Sequence, residues 1–419
     1  MKLLIIEEDS YDVLKKCYLC NINKAMKYMS QKRNIHRLTL LLCLHLFILT
    51  SAFAIPNSLV REKKLSKTEA REVGEKIKSE WVSQTKIRLS SAYRNHIIKD
   101  DSREMPLWWA VYGEKPIDGY SLYISLHGGG GTTREVNNQQ WENQKRLYRP
   151  KNSVYVAPRA PWNLWNMWCK EGIDALYEQL IQMGVAYEGV NPDKVYVMGY
   201  SAGGDGVWRL GPRMADTWAA ASMMAGHPGD VSLVNLRNTP FMIWCGENDA
   251  AYDRNRLNAE RGVQMDSLQR QDIGGYIHET HIVKGKGHWM DRVDTVAVSW
   301  MAQYRRNPYP KHIVWQQEEV LKPYFYWLGV SQNEMKRGKT VRAAVQGNKI
   351  ILDRCDYSSL TIYLNDELVN LNRPVEVICQ GKRLFKRRVP RTESMMRQTL
   401  TERNDWGYMF PAMIKVIIK

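Results

Sequence analysis

Cysteine is scarce in this chain, metal-ligand spacings are missing and long apolar runs are almost absent, and each shortage removes a class of protein. Seven cysteines are scattered over 419 residues, too thinly for a disulfide framework, which belongs to short, cysteine-dense secreted domains. Beyond residue 54 there is no CxxC pair and no HxxxH arrangement, so the sequence gives no support for a metal site. Internal repeats and low-complexity linkers are also lacking, which leaves out solenoids and fibrous proteins. The most apolar run, Leu38 to Leu49, falls short of the ~20 residues of a transmembrane helix. What remains, 44% hydrophobic and 25% charged, suits one large α/β domain with a smaller companion.

That short apolar run has a context of its own. Lys32, Arg33 and Arg37 precede it and Ala52-Phe53-Ala54 ends it. This is the order of a signal peptide: a basic flank that resists translocation, a short helix, and small residues that fit a peptidase groove after Ala54. The expectation is export to a periplasmic or extracellular space, with no stable membrane span after cleavage. Glu7, Glu8 and Asp9 lie ahead of the basic stretch and are foreign to such a segment, which makes Met26 and Met29 alternative starts. Cleavage leaves Cys169, Cys245, Cys355 and Cys379. The last two share one segment, and are either a disulfide or two buried thiols.

The formal charge of +16 raises the question of a polyanionic partner, and its distribution answers it. From Gly338 onward 15 basic residues face 8 acidic ones, densest in Lys382-Arg383-Leu384-Phe385-Lys386-Arg387-Arg388. Lysine and arginine commonly protect exposed strand edges, and that reading is favoured over a patch for an acidic polymer, nucleic acid included, or for an anionic surface.

Four stretches divide the chain. After the signal segment (1–54) comes a polar preface (55–105) with a helix around Lys67–Leu89. Residues 106–330 then alternate short apolar strands, Gly119–Leu126, Ser153–Ala157, Lys194–Met198, Ala219–Met224, Pro240–Trp244 and Gly275–Val283, with helices such as Gly172–Met183. Strands of about five residues alternating with helices predict a mostly parallel sheet covered on both faces. In 331–419 short alternating segments (Val341–Val345, Lys349–Leu352, Leu360–Leu364, Val375–Cys379, Val389, Met413–Ile418) are separated by Gln346-Gly347-Asn348, Asn365-Asp366 and Gln380-Gly381. That is turn chemistry, and it predicts a small β-rich accessory domain.

Chemistry concentrates in the alternating region. A serine hydroxyl becomes a nucleophile when a base takes its proton and a sharp strand-to-helix turn presents it. Gly199-Tyr200-Ser201-Ala202-Gly203-Gly204 directly follows the strand Lys194–Met198 and precedes a helix containing Val207, Trp208 and Leu210, the setting the motif requires. Upstream, His127-Gly128-Gly129-Gly130-Gly131 follows another strand. Its glycines let backbone amides approach a developing oxyanion, so Gly129 or Gly130 is expected to supply one donor and Ala202 the other. The acid and base should follow the serine on loops at later strand ends. Asp249, in Cys245-Gly246-Glu247-Asn248-Asp249, is preferred to Asp253 as the acid, and His288, in Lys284-Gly285-Lys286-Gly287-His288-Trp289, is the base. His278 and His281 lie in the preceding strand and read as structural, whereas His227 follows a strand end and is placed with Trp162, Trp165 and Trp289 as substrate-binding.

With these residues in place, the chain resembles the α/β-hydrolase superfamily over roughly residues 105–305, and within it the secreted esterases of the feruloyl, acetylxylan and polyhydroxybutyrate-depolymerase-like kind. His127-Gly128-Gly129, Gly199-Tyr200-Ser201-Ala202-Gly203, Asp249 and His288 carry the resemblance, with Asn191-Pro192-Asp193-Lys194-Val195-Tyr196 and Lys286-Gly287-His288-Trp289 beside them. It implies a cofactor-free serine esterase acting on an ester substrate, polysaccharide-linked in that branch. The fourth glycine at 131, the Trp-rich loop and the C-terminal β segment depart from the pattern. A peptidase of the same fold is the nearest rival, but about 70 residues between the cleavage point and His127 leave no room for a propeller. A binding protein on a hydrolase scaffold is another, but such a scaffold has no chemical need for a complete Ser201, Asp249 and His288 set.

Overall fold

Residues 62–100 and 102–418 are described by a computed structural model; the signal segment expected over 1–54 lies outside them. The first described helix, α1 (Lys67–Arg88), opens on a reciprocal cap in which Ser66 and Glu69 satisfy each other's amides, a device that supplies partners for two orphan donors. Ala70, Gly74, Ile77, Trp81 and Thr85 recur at three- and four-residue intervals and form its buried stripe. A short α2 (Ser90–Asn95) follows.

Eight strands make the large sheet: β1 (Ile97–Asp100), β2 (Arg103–Tyr112), β3 (Tyr120–Leu126), β4 (Ser153–Pro158), β5 (Val190–Tyr200), β6 (Ala220–Met224), β7 (Phe241–Gly246) and β8 (His278–Val283). Their spatial order is β1-β2-β4-β3-β5-β6-β7-β8. From β3 to β8 the pairings are parallel, while β1 and β2 run antiparallel at the edge. The polar preface thus contributes a helix and an edge strand of this sheet.

Helices α3 (Arg134–Leu147), α4 (Ile173–Met183), α5 (Ala202–Arg213), α6 (Arg254–Gln271) and α7 (Val296–Met301) cover the two faces. Period-two alternation sorts the strand residues: Leu122, Ile124, Val195 and Val197 join the core under α1, α4 and α5. Tyr123, Tyr196, Met198 and Trp244 join a separate core with Trp300 and Met301 of α7.

Two smaller sheets follow. One has the order β16-β15-β13-β12-β9 and the other β10-β11-β14-β17, built from β9 (His312–Gln316), β10 (Tyr324–Phe325), β11 (Leu328–Gly329), β12 (Thr340–Gln346), β13 (Lys349–Cys355), β14 (Ser359–Leu364), β15 (Val375–Cys379), β16 (Lys382–Arg387) and β17 (Ala412–Ile417). Trp327, Ile350, Leu360 and Val377 belong to their shared core. Three strands, β9 to β11, lie ahead of residue 331. Val389 falls outside any strand; the basic run itself forms β16, and β16 is an edge strand. Helix α8 (Glu393–Arg403) sends Met396 and Leu400 into the core beside α1.

The smaller sheets dock at the amino ends of the large sheet's strands. Arg306, nearly inaccessible, bonds Asp193 at the start of β5, the Asp216 carbonyl ahead of β6, and Asp405 after α8. Arg337, just ahead of β12, also bonds Asp230 in the segment between β6 and β7 at 2.8 Å. Cys169, Cys245, Cys355 and Cys379 are free thiols. Among the described residues no helix is long and apolar enough to cross a membrane.

Candidate active site

Strand β5 delivers Ser201 to a strained turn. The residue adopts φ 58°, ψ −121°, a region costing a non-glycine residue about 1–3 kcal/mol. The turn exists because its flanks lack side chains: a Cβ at Gly199 would lie 2.4 Å from the Gly203 carbonyl oxygen, and one at Gly203 2.1 Å from that of Leu126. The Ser201 amide is anchored on the Met224 carbonyl at 2.9 Å, and α5 begins at the next residue.

The other two groups come from the carboxyl ends of β7 and β8. His288 Nε2 lies 2.9 Å from Ser201 Oγ, and His288 Nδ1 lies 2.8 Å from Asp249 Oδ2. Asp249 is 2% exposed, so its carboxylate faces the imidazole instead of water. Asp253 is placed differently: it is exposed and pairs with Arg256 at 3.1 Å. Tyr200, which sequence reading passed over, fixes the histidine loop by donating to the His288 carbonyl (2.6 Å) and accepting the Met290 amide (3.1 Å). Its only sequence signal is its place beside Ser201.

The glycine loop is held by two buried polar residues. His127 donates Nδ1–H to the Gly128 carbonyl at 2.6 Å and accepts the Ala160 amide on Nε2. Burial pushes its pKa down to about 3, so the ring is neutral. Asn137 of α3 clamps Gly130, accepting its amide at 2.9 Å and donating to its carbonyl at 3.0 Å. That clamp corrects one expectation: the Gly130 N–H is consumed and is not free for an oxyanion. The Gly129 amide has no partner among the described residues. The Ala202 amide sits in the first turn of α5, where intrahelical acceptors are lacking.

Ser201 opens into a cleft of about 620 Å³ walled by Gly128 and Gly129, by Gln140, Asn143 and Leu147 of α3, and by Tyr200, His288 and Trp289. Trp289 is half exposed, 5.6 Å from the Tyr200 ring. Of the other expected substrate-binding residues, Trp165 is 67% exposed and its backbone lies against Gly130 and Gly131. Trp162 does not line the cleft, because it packs between the Arg103 guanidinium and the Lys170 ammonium, 5.7 and 5.0 Å from its ring. His227 is also outside the lining; its amide donates to Asp205 at 2.6 Å and its Nδ1 accepts the Gly229 amide. His278 pairs with Asp266 and His281 stacks on Trp244.

A parallel sheet of this order, a strained serine between its central strand and a helix, and a glycine loop at the neighbouring strand end occur together here. The fold is that of the α/β-hydrolases. No protein-family model matches the chain, and neither does any curated protein. Among solved structures it is similar to a thermostable esterase, with 21% identity and TM-score 0.39, covering 50% of this chain and 62% of that one. It is also similar to a ferulic acid esterase (16%, 0.35, covering 49% and 93%) and to an acetyl xylan esterase from Aspergillus awamori (12%, 0.35, covering 49% and 97%). The chain thus spans less than two thirds of the first of these, and about half of this chain is matched.

Proposed function

We propose that this protein is a serine carboxylic-ester hydrolase that works through an acyl-enzyme on Ser201. The observation that carries this reading is the unbroken line from Asp249 Oδ2 through His288 to Ser201 Oγ, with hydrogen-bond distances of 2.8 and 2.9 Å. Asp249 keeps the His288 proton on Nδ1, which leaves Nε2 free to accept the Ser201 proton as Oγ bonds to the ester carbonyl carbon. The carbonyl oxygen gains negative charge and is met by the amides of Gly129 and Ala202. Collapse expels the alcohol, which takes the proton from His288. Water then attacks the acyl carbon, His288 accepts its proton, and Ser201 leaves with that proton as the acid is released.

The substrate we propose is an ester outside the cytoplasm, borne by a polysaccharide. The signal-type segment supports the location. An open cleft with a half-exposed Trp289 beside uncharged Gln140 and Asn143 suits a sugar ring against an aromatic wall. Purified protein and Ser201→Ala should be compared on p-nitrophenyl acetate and then on acetyl, feruloyl, methyl-uronate and peptide substrates. Ester turnover that vanishes in a folded Ser201→Ala protein is expected. Retained turnover would reject the nucleophile, and peptide cleavage without ester cleavage would reject the esterase.

A further inference from the structure

The cleft beside Ser201 is uncharged near the nucleophile and cationic at the far end of α3. Val136, Gln140, Asn143 and Leu147 follow one another at four-, three- and four-residue steps and line the cleft as one stripe of that helix. Gln140 stands at the nucleophile: its Oε1 is 3.4 Å from the position a Cβ at Gly128 would take, and that position is 3.2 Å from Ser201 Cβ. Arg146, one turn beyond Asn143 on the flank of the stripe, also lines the cleft. At ~1.5 Å per residue it lies about 9 Å further along the helix than Gln140.

Among the described residues no aspartate or glutamate lines this cleft, and Arg146 is its one lysine or arginine. The guanidinium is exposed and has neither a hydrogen bond nor an ion pair among them. Glu142, one turn back, is taken by Lys145 at 2.5 Å. On the histidine loop, Asp291 bonds Lys286 at 2.6 Å and Asp294 accepts the Tyr148 hydroxyl at 2.6 Å. The same loop fixes the helix end that presents Arg146. Arg292 donates to the Leu147 carbonyl at 2.7 Å, and the Asp294 that holds Tyr148 is 1% exposed. Arg146 is thereby kept in a set position relative to His288, and Arg292 brings a second cation to the same rim.

An arginine fork without a partner, at the end of a substrate cleft, is complementary to a carboxylate, which accepts two parallel N–H bonds from it. A neutral sugar offers hydroxyls but no charge, and a cationic substrate is repelled. We infer that the ester is borne on an anionic polysaccharide, a polyuronate, and that Arg146 bonds a carboxylate of its chain while Ser201 attacks the acyl group of a sugar lying at Gln140 and Trp289. The charge belongs on the sugar chain, because Arg146 lies too far along α3 for a short acyl group held at Ser201. The inference rests on the esterase reading above and makes Arg146 the residue that sets specificity. Because the guanidinium is exposed, salt screens the pair.

The test is kinetics on acetylated oligogalacturonate and on acetylated xylo-oligosaccharide of equal length, with wild type, Arg146→Gln and Arg146→Lys. Wild type is expected to have the higher kcat/KM on the uronate. Arg146→Gln should reduce the uronate-to-xylan ratio by about three- to tenfold, through KM, and Arg146→Lys, which keeps the charge, should restore part of it. Added salt should lower the wild-type ratio and affect Arg146→Gln less. Calorimetry on folded Ser201→Ala protein, with unesterified oligogalacturonate and xylo-oligosaccharide, reads the same preference without turnover. Equal kcat/KM on the two substrates in wild type, or a ratio indifferent to Arg146→Gln, would overturn the inference and leave the esterase intact. Preferential uronate binding without ester turnover would reject the esterase and leave the anionic preference standing.

Discussion

Replacing Asp249 by asparagine separates the proposed mechanism from its rivals, because the change is nearly isosteric and its consequence is electronic. Asp249 Oδ2 accepts from His288 Nδ1 at 2.8 Å in a place with 2% exposure. An amide turned to donate there would move the imidazole proton to Nε2, and Nε2 would then donate to Ser201 Oγ instead of accepting from it. Changes of this kind in a Ser-His-Asp triad cost about 10⁴ in kcat, which at 1.36 kcal/mol per tenfold is about 5.5 kcal/mol of barrier. Asp253, exposed and paired with the exposed Arg256, provides the control. Loss of such a surface pair is worth about 0–1 kcal/mol of stability, and Asp253→Asn should leave turnover within about twofold. Both variants would be assayed on p-nitrophenyl acetate after circular dichroism has shown the fold intact. An Asp249→Asn enzyme retaining more than a tenth of wild-type kcat, or an Asp253→Asn enzyme losing as much as Asp249→Asn, would refute the assignment.

Two further outcomes test the scaffold. His127 titrates near 6.5 when unfolded but at about 3 when folded, because of burial. Above pH 6.5 it is neutral in both states and contributes no pH dependence. Between 6.5 and 3 the unfolded chain takes up a proton that the fold resists, so stability should fall by about 1.4 kcal/mol per pH unit from this group. Urea midpoints from pH 7 to pH 5 should show that slope, and a slope equally steep in His127→Asn would assign it elsewhere. Arg306→Ala would leave Asp193 and Asp405 facing each other's surroundings without their shared cation, a loss of about 3–5 kcal/mol. Chemical denaturation should reveal it, and a variant as stable as wild type would mean that the docking of the smaller sheets does not depend on this pair.

The serine turn was legible in the sequence because a short-range constraint writes it: Gly199 and Gly203 must be glycines where backbone passes within 2.1–2.4 Å of a Cβ position. Period-two strands and helical spacing likewise announce themselves over a few residues, so the parallel sheet could be read without coordinates. Asp249 and His288 were legible through chain order after strand ends. What the linear chain could not decide was which groups meet as partners in space. Asn137 takes the Gly130 amide, Arg103 and Lys170 take the Trp162 ring, and Arg306 joins Asp193 to Asp405. None of these pairs follows a period or a motif. They depend on where separate elements meet, and packing of the whole chain decides that.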